Sequence, residues 1–142
     1  MERREKYSKI LIILFLISTV WILLQFLAPL TMTAGSVEDL TGLTAIEDNE
    51  EKIEEMSFPW NIIYSCGDRM CHQKASRSFF LNGNQMPFCA RCTAIWAGVA
   101  IGLGFMLFYR IPLDTRFLFL IAIAIIPIGV DGVGQLLNFW ES

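Results

Sequence analysis

The stretch "ILIILFLISTVWILLQFLAPL", residues 10–30, runs 21 residues without a charged side chain, and its only polar breaks are Ser18, Thr19 and Gln25. A helix rises about 1.5 Å per residue, so about 20 apolar residues cross the hydrocarbon layer of a bilayer. Two further runs follow: residues 93–109 carry no charge, and residues 117–139 carry one, Asp131. The first and third runs reach spanning length. The second does so when residues 90–92 continue its helix. With 54% hydrophobic residues and a mean hydropathy of +0.50, the 142-residue chain is more apolar than a soluble domain of this size. The expected fold is an all-α integral membrane protein with three transmembrane helices.

Arg3, Arg4, Lys6 and Lys9 precede the first run, as in a secretory signal. The run is longer than a signal core and the following "TMTAGS" is a poor cleavage site, which favours an uncleaved anchor. Arg110 and Arg116 flank the short connection between the second and third runs, whereas residues 31–92 hold five Lys/Arg spread along their length. The positive-inside rule therefore predicts a cell-membrane protein with its N-terminus and short loop cytoplasmic. The long segment and the C-terminal "NFWES" are then extracytoplasmic, and Trp60 and Trp140 suit the outer interface. The predicted organisation is a basic N-terminus (1–9), a first helix (10–30), an acidic spacer (31–60) and a cysteine-rich loop (61–92). A second helix (93–109), a cytoplasmic loop (110–116) and a third helix (117–139) complete it.

The spacer and loop differ in charge. Residues 38–55 hold eight acids and one lysine, with Leu40, Leu43 and Ile46 as a weak helical stripe. That balance predicts a solvated arm or short surface helix. The loop holds Arg69, Lys74, Arg77 and Arg91, and these predict either a solvated surface or a pocket for an anionic lipid headgroup, with the acidic arm as its competitor or cover.

The four cysteines lie in two pairs. Cys66 and Cys71 form C-x4-C, Cys89 and Cys92 form C-x2-C, and 17 residues separate the pairs. Two such knuckles suit tetrahedral Zn²⁺, with Cys66, Cys71, Cys89 and Cys92 as ligands and His72 as an alternative ligand. An oxidising compartment also allows two disulfides. A third reading notes that Cys89 and Cys92 open the second helix, where the helix dipole and Arg91 favour thiolate. That suits a thiol–disulfide relay coupled to a membrane quinone, with Cys66 and Cys71 as the shuttle pair, a layout that resembles the disulfide-forming membrane enzymes.

Asp131 lies about 12 Å below the outer end of the third run, and Gln135 follows one turn later. A carboxylate at that depth requires a partner, and Arg91 is the first candidate, before Arg77 and His72. Pro127 predicts a kink beside it. Ala94, Gly98 and Gly102 recur every four residues on the second helix and suit close helix packing, within the chain or in a homo-oligomer.

"CHQ" (71–73), "RSFF" (77–80), "G-x-Q-x-P-x-CARCT" (83–93) and "DG-x-x-Q" (131–135) stand in this order. The string resembles a family of small predicted membrane proteins, domain of unknown function 2085, over residues 64–138. Cys71, His72, Gln73, Arg77, Ser78, Pro87, Cys89, Arg91, Cys92, Asp131, Gly132 and Gln135 occupy motif positions, while Cys66 lies just outside. Where usual members have Thr-Gly-Ile-Tyr, this chain has Thr93, Ala94, Ile95 and Trp96. The resemblance implies no reaction, so chemistry must come from the residues.

If three cysteines hold the metal, His72 and Asp131 are the candidate proton carriers, with Gln73, Arg77, Ser78, Arg91 and Gln135 as binding or supporting groups. Ser76 and Ser78 suit hydrogen bonding better than hydrolysis. No phosphate loop, nucleotide fingerprint or haem attachment sequence occurs, and no nucleic-acid partner is expected. The expected function is an outward-facing zinc-binding membrane module, with the bilayer and a membrane protein as its partners.

Overall fold

The computed structural model describes residues 2–43, 45–109 and 114–137, except for the side chains at 2–8, 117, 128, 131, 132, 135 and 136. It is mostly helical. In chain order come α1 (Glu2–Thr31), α2 (Glu50–Glu54), α3 (Trp60–Met70), a 3-10 turn (Ala75–Arg77), β1 (Phe80–Leu81), β2 (Asn84–Gln85), α4 (Ala90–Phe108) and α5 (Thr115–Leu136). The chain divides into two compact units, residues 1–108 and 109–142.

Within the first unit two helices are long and apolar enough to cross a membrane: Lys9–Thr31 of α1 and Ala90–Phe108 of α4. They pack on each other. Phe15 would lie 3.0 Å from a Cβ placed on Gly104, and Trp21 meets Trp96 edge to face with ring centroids 5.9 Å apart. Moving toward the C-terminal end of α1 thus means moving toward the start of α4, so the pair is antiparallel. Gly104 leaves room for the Phe15 ring, as small residues do between membrane helices. Gly98 and Gly102, expected at such a contact, face open space instead. The second unit holds α5, 22 residues long with Pro127 inside it, and its described apolar stretch is Leu118–Pro127.

At the C-terminal end of α1 sits a small core of Ala28, Val37, Leu40, Ile53 and Tyr64, covered by Met32, Met56 and Trp60. The acidic arm is therefore more than a solvated spacer. Of its expected stripe only Leu40 is buried; Leu43 and Ile46 are exposed, and no helix forms before Glu50. The cysteine-rich loop is likewise structured. Its first part is α3, which buries Ile63, Tyr64, Gly67 and Asp68 on one face, the i, i+1, i+4, i+5 pattern of an amphipathic helix.

A hairpin then carries the buried polar hub. Asn82 and Gly83 adopt positive φ (54° and 74°), as an Asn-Gly hairpin turn requires. Asn84 donates to the carbonyls of Pro29 and Thr33, both at 2.9 Å, and accepts from the Val37 N–H at 3.0 Å. Gln85 accepts from the Leu40 N–H at 3.1 Å and donates to the Ser78 hydroxyl at 3.2 Å, while Tyr64 donates to the Gln85 carbonyl at 2.6 Å. Both side chains are fully buried and satisfy backbone groups that sheet or helix would otherwise have to satisfy. They lock the arm, α1 and the hairpin into one piece, which fixes where residues 86–92 lie.

Candidate metal centre

Cys71 follows the last residue of α3 in extended conformation (φ −144°, ψ 146°). Gln73 then turns the chain at φ +43° and gives its backbone N–H to the Cys71 sulfur. From the other side the Cys89 N–H donates to the same sulfur at 3.4 Å. Cys89 immediately precedes α4, and its own sulfur accepts backbone N–H groups from Cys92 and Arg91 in the helix's first turn. The sulfurs of Cys71, Cys89 and Cys92 all lie within 4.8 Å of one another. Sulfurs bound tetrahedrally at about 2.3 Å from one ion are about 3.8 Å apart, so a closure of no more than about 1 Å would complete the set.

The thiols are not equivalent. The Cys71 S–H donates to the Cys89 sulfur, and this bond leads the effects that hold the Cys89 thiol down at about 5, against the opposing effect of burial. The same bond, reinforced by burial, pushes the Cys71 thiol well above its ordinary range. The two shifts run in opposite directions, so Cys89 is the more readily ionised of the pair. In metal-free protein, alkylation at pH 6 should modify Cys89 first, because ordinary thiols are protonated there. Peptide mapping after brief iodoacetamide treatment reads this; equal labelling of Cys66 and Cys89 would contradict it.

Other expected ligands lie elsewhere. Cys66 sits inside α3 and lines a separate 360 Å³ cleft with Glu47, Glu50, Glu54 and Arg69. It is outside the sulfur cluster, so the four-cysteine set reduces to three among the described residues. The reason is helical: Cys66 is held on α3, whereas Cys71 lies past the helix end, where the chain has turned toward α4. His72 is exposed, while its backbone carbonyl accepts from the Gly42 N–H.

Several supporting residues brace the loop. The Gln73 carboxamide donates to the Pro87 carbonyl at 2.7 Å, and Ser78 donates to the Lys74 carbonyl at 2.9 Å. Arg77 is half-buried in the 3-10 turn. Arg69 pairs with Glu47 of the acidic arm, so this member of the basic group is turned to the chain's own acid. The expected contact of Asp131 with Arg91, and the place of Gln135, fall on side chains outside the described residues.

Sequence reasoning missed Tyr64, Gly67, Asn84 and Gln85. The Asn82-Gly83 pair announced the hairpin, but nothing local marked Asn84 and Gln85 as buried. It also passed over Gln25, visible only as a polar break in an apolar run.

The match to a family model of predicted membrane proteins, DUF2085, covers residues 71–142 and so takes in all three clustered cysteines. An uncharacterized protein of Methanocaldococcus jannaschii is 32% identical over 140 residues, covering 97% of this chain and 78% of that protein. Another, of Methanothermobacter thermautotrophicus, is 30% identical over 73 residues, covering 51% of this chain and 66% of that protein. No solved structure matches. With a family match over half its length and a relative similar almost end to end, the chain belongs to the predicted membrane proteins of domain of unknown function 2085.

Proposed function

We propose that this chain is a metal-binding membrane module, with Zn²⁺ held by Cys71, Cys89 and Cys92 on the extracytoplasmic side. The observation that carries the reading is the convergence of three sulfurs from two chain segments, with backbone N–H groups aimed at two of them. Such donors offset thiolate charge and hold a knuckle in shape before metal arrives. Gln73 and Ser78 support the loop, and His72 stays at its rim. A bound divalent ion would draw the thiolates together and supply Lewis acidity.

In this reading α5 is the third transmembrane helix, and the positive-inside rule puts the N-terminus and the loop at 110–116 in the cytoplasm. The module serves a membrane partner protein as an accessory subunit.

The test is to purify the chain in detergent without reductant, measure bound metal by mass spectrometry and count thiols after denaturation in chelator. About one zinc per chain with all four thiols recoverable is the expected result, and Cys66→Ser should retain the zinc. Metal-free protein with two thiols or none would overturn the reading.

One observation favours a second reading. The Cys71 and Cys89 sulfurs lie within 4.8 Å of each other, and a close pair in which one thiol ionises more readily is what a thiol–disulfide relay uses. Forming the Cys71–Cys89 bond from a thiolate and a thiol would release two electrons and one proton, and a membrane quinone accepting them would take its second proton from solvent. Mixed disulfides trapped in Cys71→Ser or Cys89→Ser would support it, and their absence from both would dismiss it.

A further inference from the structure

Three thiolates leave a tetrahedral ion with a fourth position, and the described residues bring neither Cys66 nor His72 to it. What lies beside the cluster on the membrane side is unusual. Trp21 of α1 packs edge to face on Phe88, the residue before Cys89, at 6.0 Å, and on Trp96, one turn beyond Cys92. Two turns outward from Trp21, the Pro29 carbonyl is held by Asn84. Gln25 lies midway between these contacts. One turn outward from Trp21 on α1 corresponds to one turn toward the start of α4, from Trp96 to Cys92. The antiparallel register therefore sets Gln25 level with Cys92.

Gln25 is fully buried, and both Oε1 and Nε2 are without a hydrogen-bond partner among the described residues. The indole N–H of Trp21 is in the same condition one turn below. Pro29, which has no N–H, also withdraws the helical donor from the Gln25 carbonyl. Buried polar groups in native proteins are almost always paired, so a cluster of unpaired ones inside an apolar helix calls for a partner such as an ordered water or a bound ligand.

We propose that the fourth position of the metal takes a low-molecular-weight thiol, bound as thiolate, with the Gln25 carboxamide as its hydrogen-bond partner. The proposal rests on the metal reading above. A soft three-sulfur site favours a soft fourth ligand. The thiol S–H bond breaks as the metal–sulfur bond forms, the proton leaves to solvent, and nothing is oxidised. The half-buried Cys89 and Cys92 leave an approach, while buried Cys71 closes the far side.

The test uses the full chain in detergent, loaded with one equivalent of Co²⁺ and titrated with mercaptoethanol. Sulfur-to-cobalt charge-transfer absorption reports the number of bound thiolates, so a fourth should raise it by about a third. Before thiol is added, Cys66→Ser and Asp131→Asn should give the wild-type spectrum. Gln25→Leu should too, since it replaces an unpaired amide by an apolar group of similar size, but its half-saturating thiol concentration should rise by about three- to tenfold. Four thiolates at the outset, falling to three in Cys66→Ser, would overturn the proposal. So would bands altered in Asp131→Asn, bands indifferent to thiol, or cobalt stripped by it. An unshifted titration in Gln25→Leu would remove Gln25 from the site. Failure to bind cobalt at all would instead fell the metal reading, and this proposal with it.

Discussion

Cys71→Ser is expected to weaken zinc binding by at least about two orders of magnitude, since loss of even a supporting contact to a metal ligand costs about 10- to 100-fold. Cys71 is the sulfur that comes from outside the Cys89–Cys92 knuckle, and it is only 3% exposed. Without it, two sulfurs one helical turn apart face a metal with half a coordination shell. Serine cannot substitute: its oxygen is a harder donor, and its hydroxyl does not ionise near neutral pH. Cys71 also accepts the N–H groups of Cys89 and Gln73, so its loss loosens the junction between α3 and α4. Competition with a chromophoric chelator measures the affinity. Thermal unfolding with and without zinc measures the coupling to stability, and the zinc-dependent rise in Tm should vanish. Cys66→Ser is the control and should keep both. Undiminished affinity in Cys71→Ser would mean the metal, if any, sits elsewhere.

Gly67→Ala should destabilise the region built from the acidic arm, α3 and the hairpin by about 2 kcal/mol, although alanine is the better helix former. Helix propensity alone would stabilise α3 by about 1 kcal/mol. Against that, a Cβ at Gly67 would overlap the Pro87 carbonyl oxygen and lie 2.6 Å from the Gln73 Nε2. Both atoms belong to the Gln73–Pro87 hydrogen bond, which is buried and cannot be remade with water. Overpacking of this kind costs about 3 kcal/mol, so the clash outweighs the propensity. Pro87 stands two residues before Cys89, so the forced shift also spreads the sulfurs. The expected result is a lower Tm in detergent together with reduced zinc occupancy. An unchanged Tm with full occupancy would show that the 86–88 segment moves aside freely.

Much of this is local chemistry that a sequence displays. The run from Ile10 to Leu30 and the residues after Cys92 are apolar over a spanning length, and each helix satisfies its own backbone whatever surrounds it. The Cys89–Cys92 knuckle is equally local. Three residues of helix start place the Arg91 and Cys92 N–H groups on the Cys89 sulfur.

The errors came where distance along the chain decides. Cys66 and Cys71 look like a second knuckle, but α3 continues through Cys66, because its opposite face buries Ile63, Tyr64 and Gly67. Leu40, Leu43 and Ile46 share a helical spacing. Only Leu40 is drawn inside, because Gln85, 45 residues away, binds its N–H. Gln25 reads as one polar residue among leucines until the α1–α4 register sets it level with Cys92.

By itself, then, the sequence determined the apolar helices and the pair of cysteines at the start of α4, since both depend on contacts within a turn or two. Only the tertiary structure decided which third sulfur lies near them and which buried amide the α1–α4 register sets level with them. Those choices depend on how α1, α3 and the hairpin are tied together by Asn84 and Gln85, whose hydrogen bonds span about 50 residues of chain and leave no periodic trace in it.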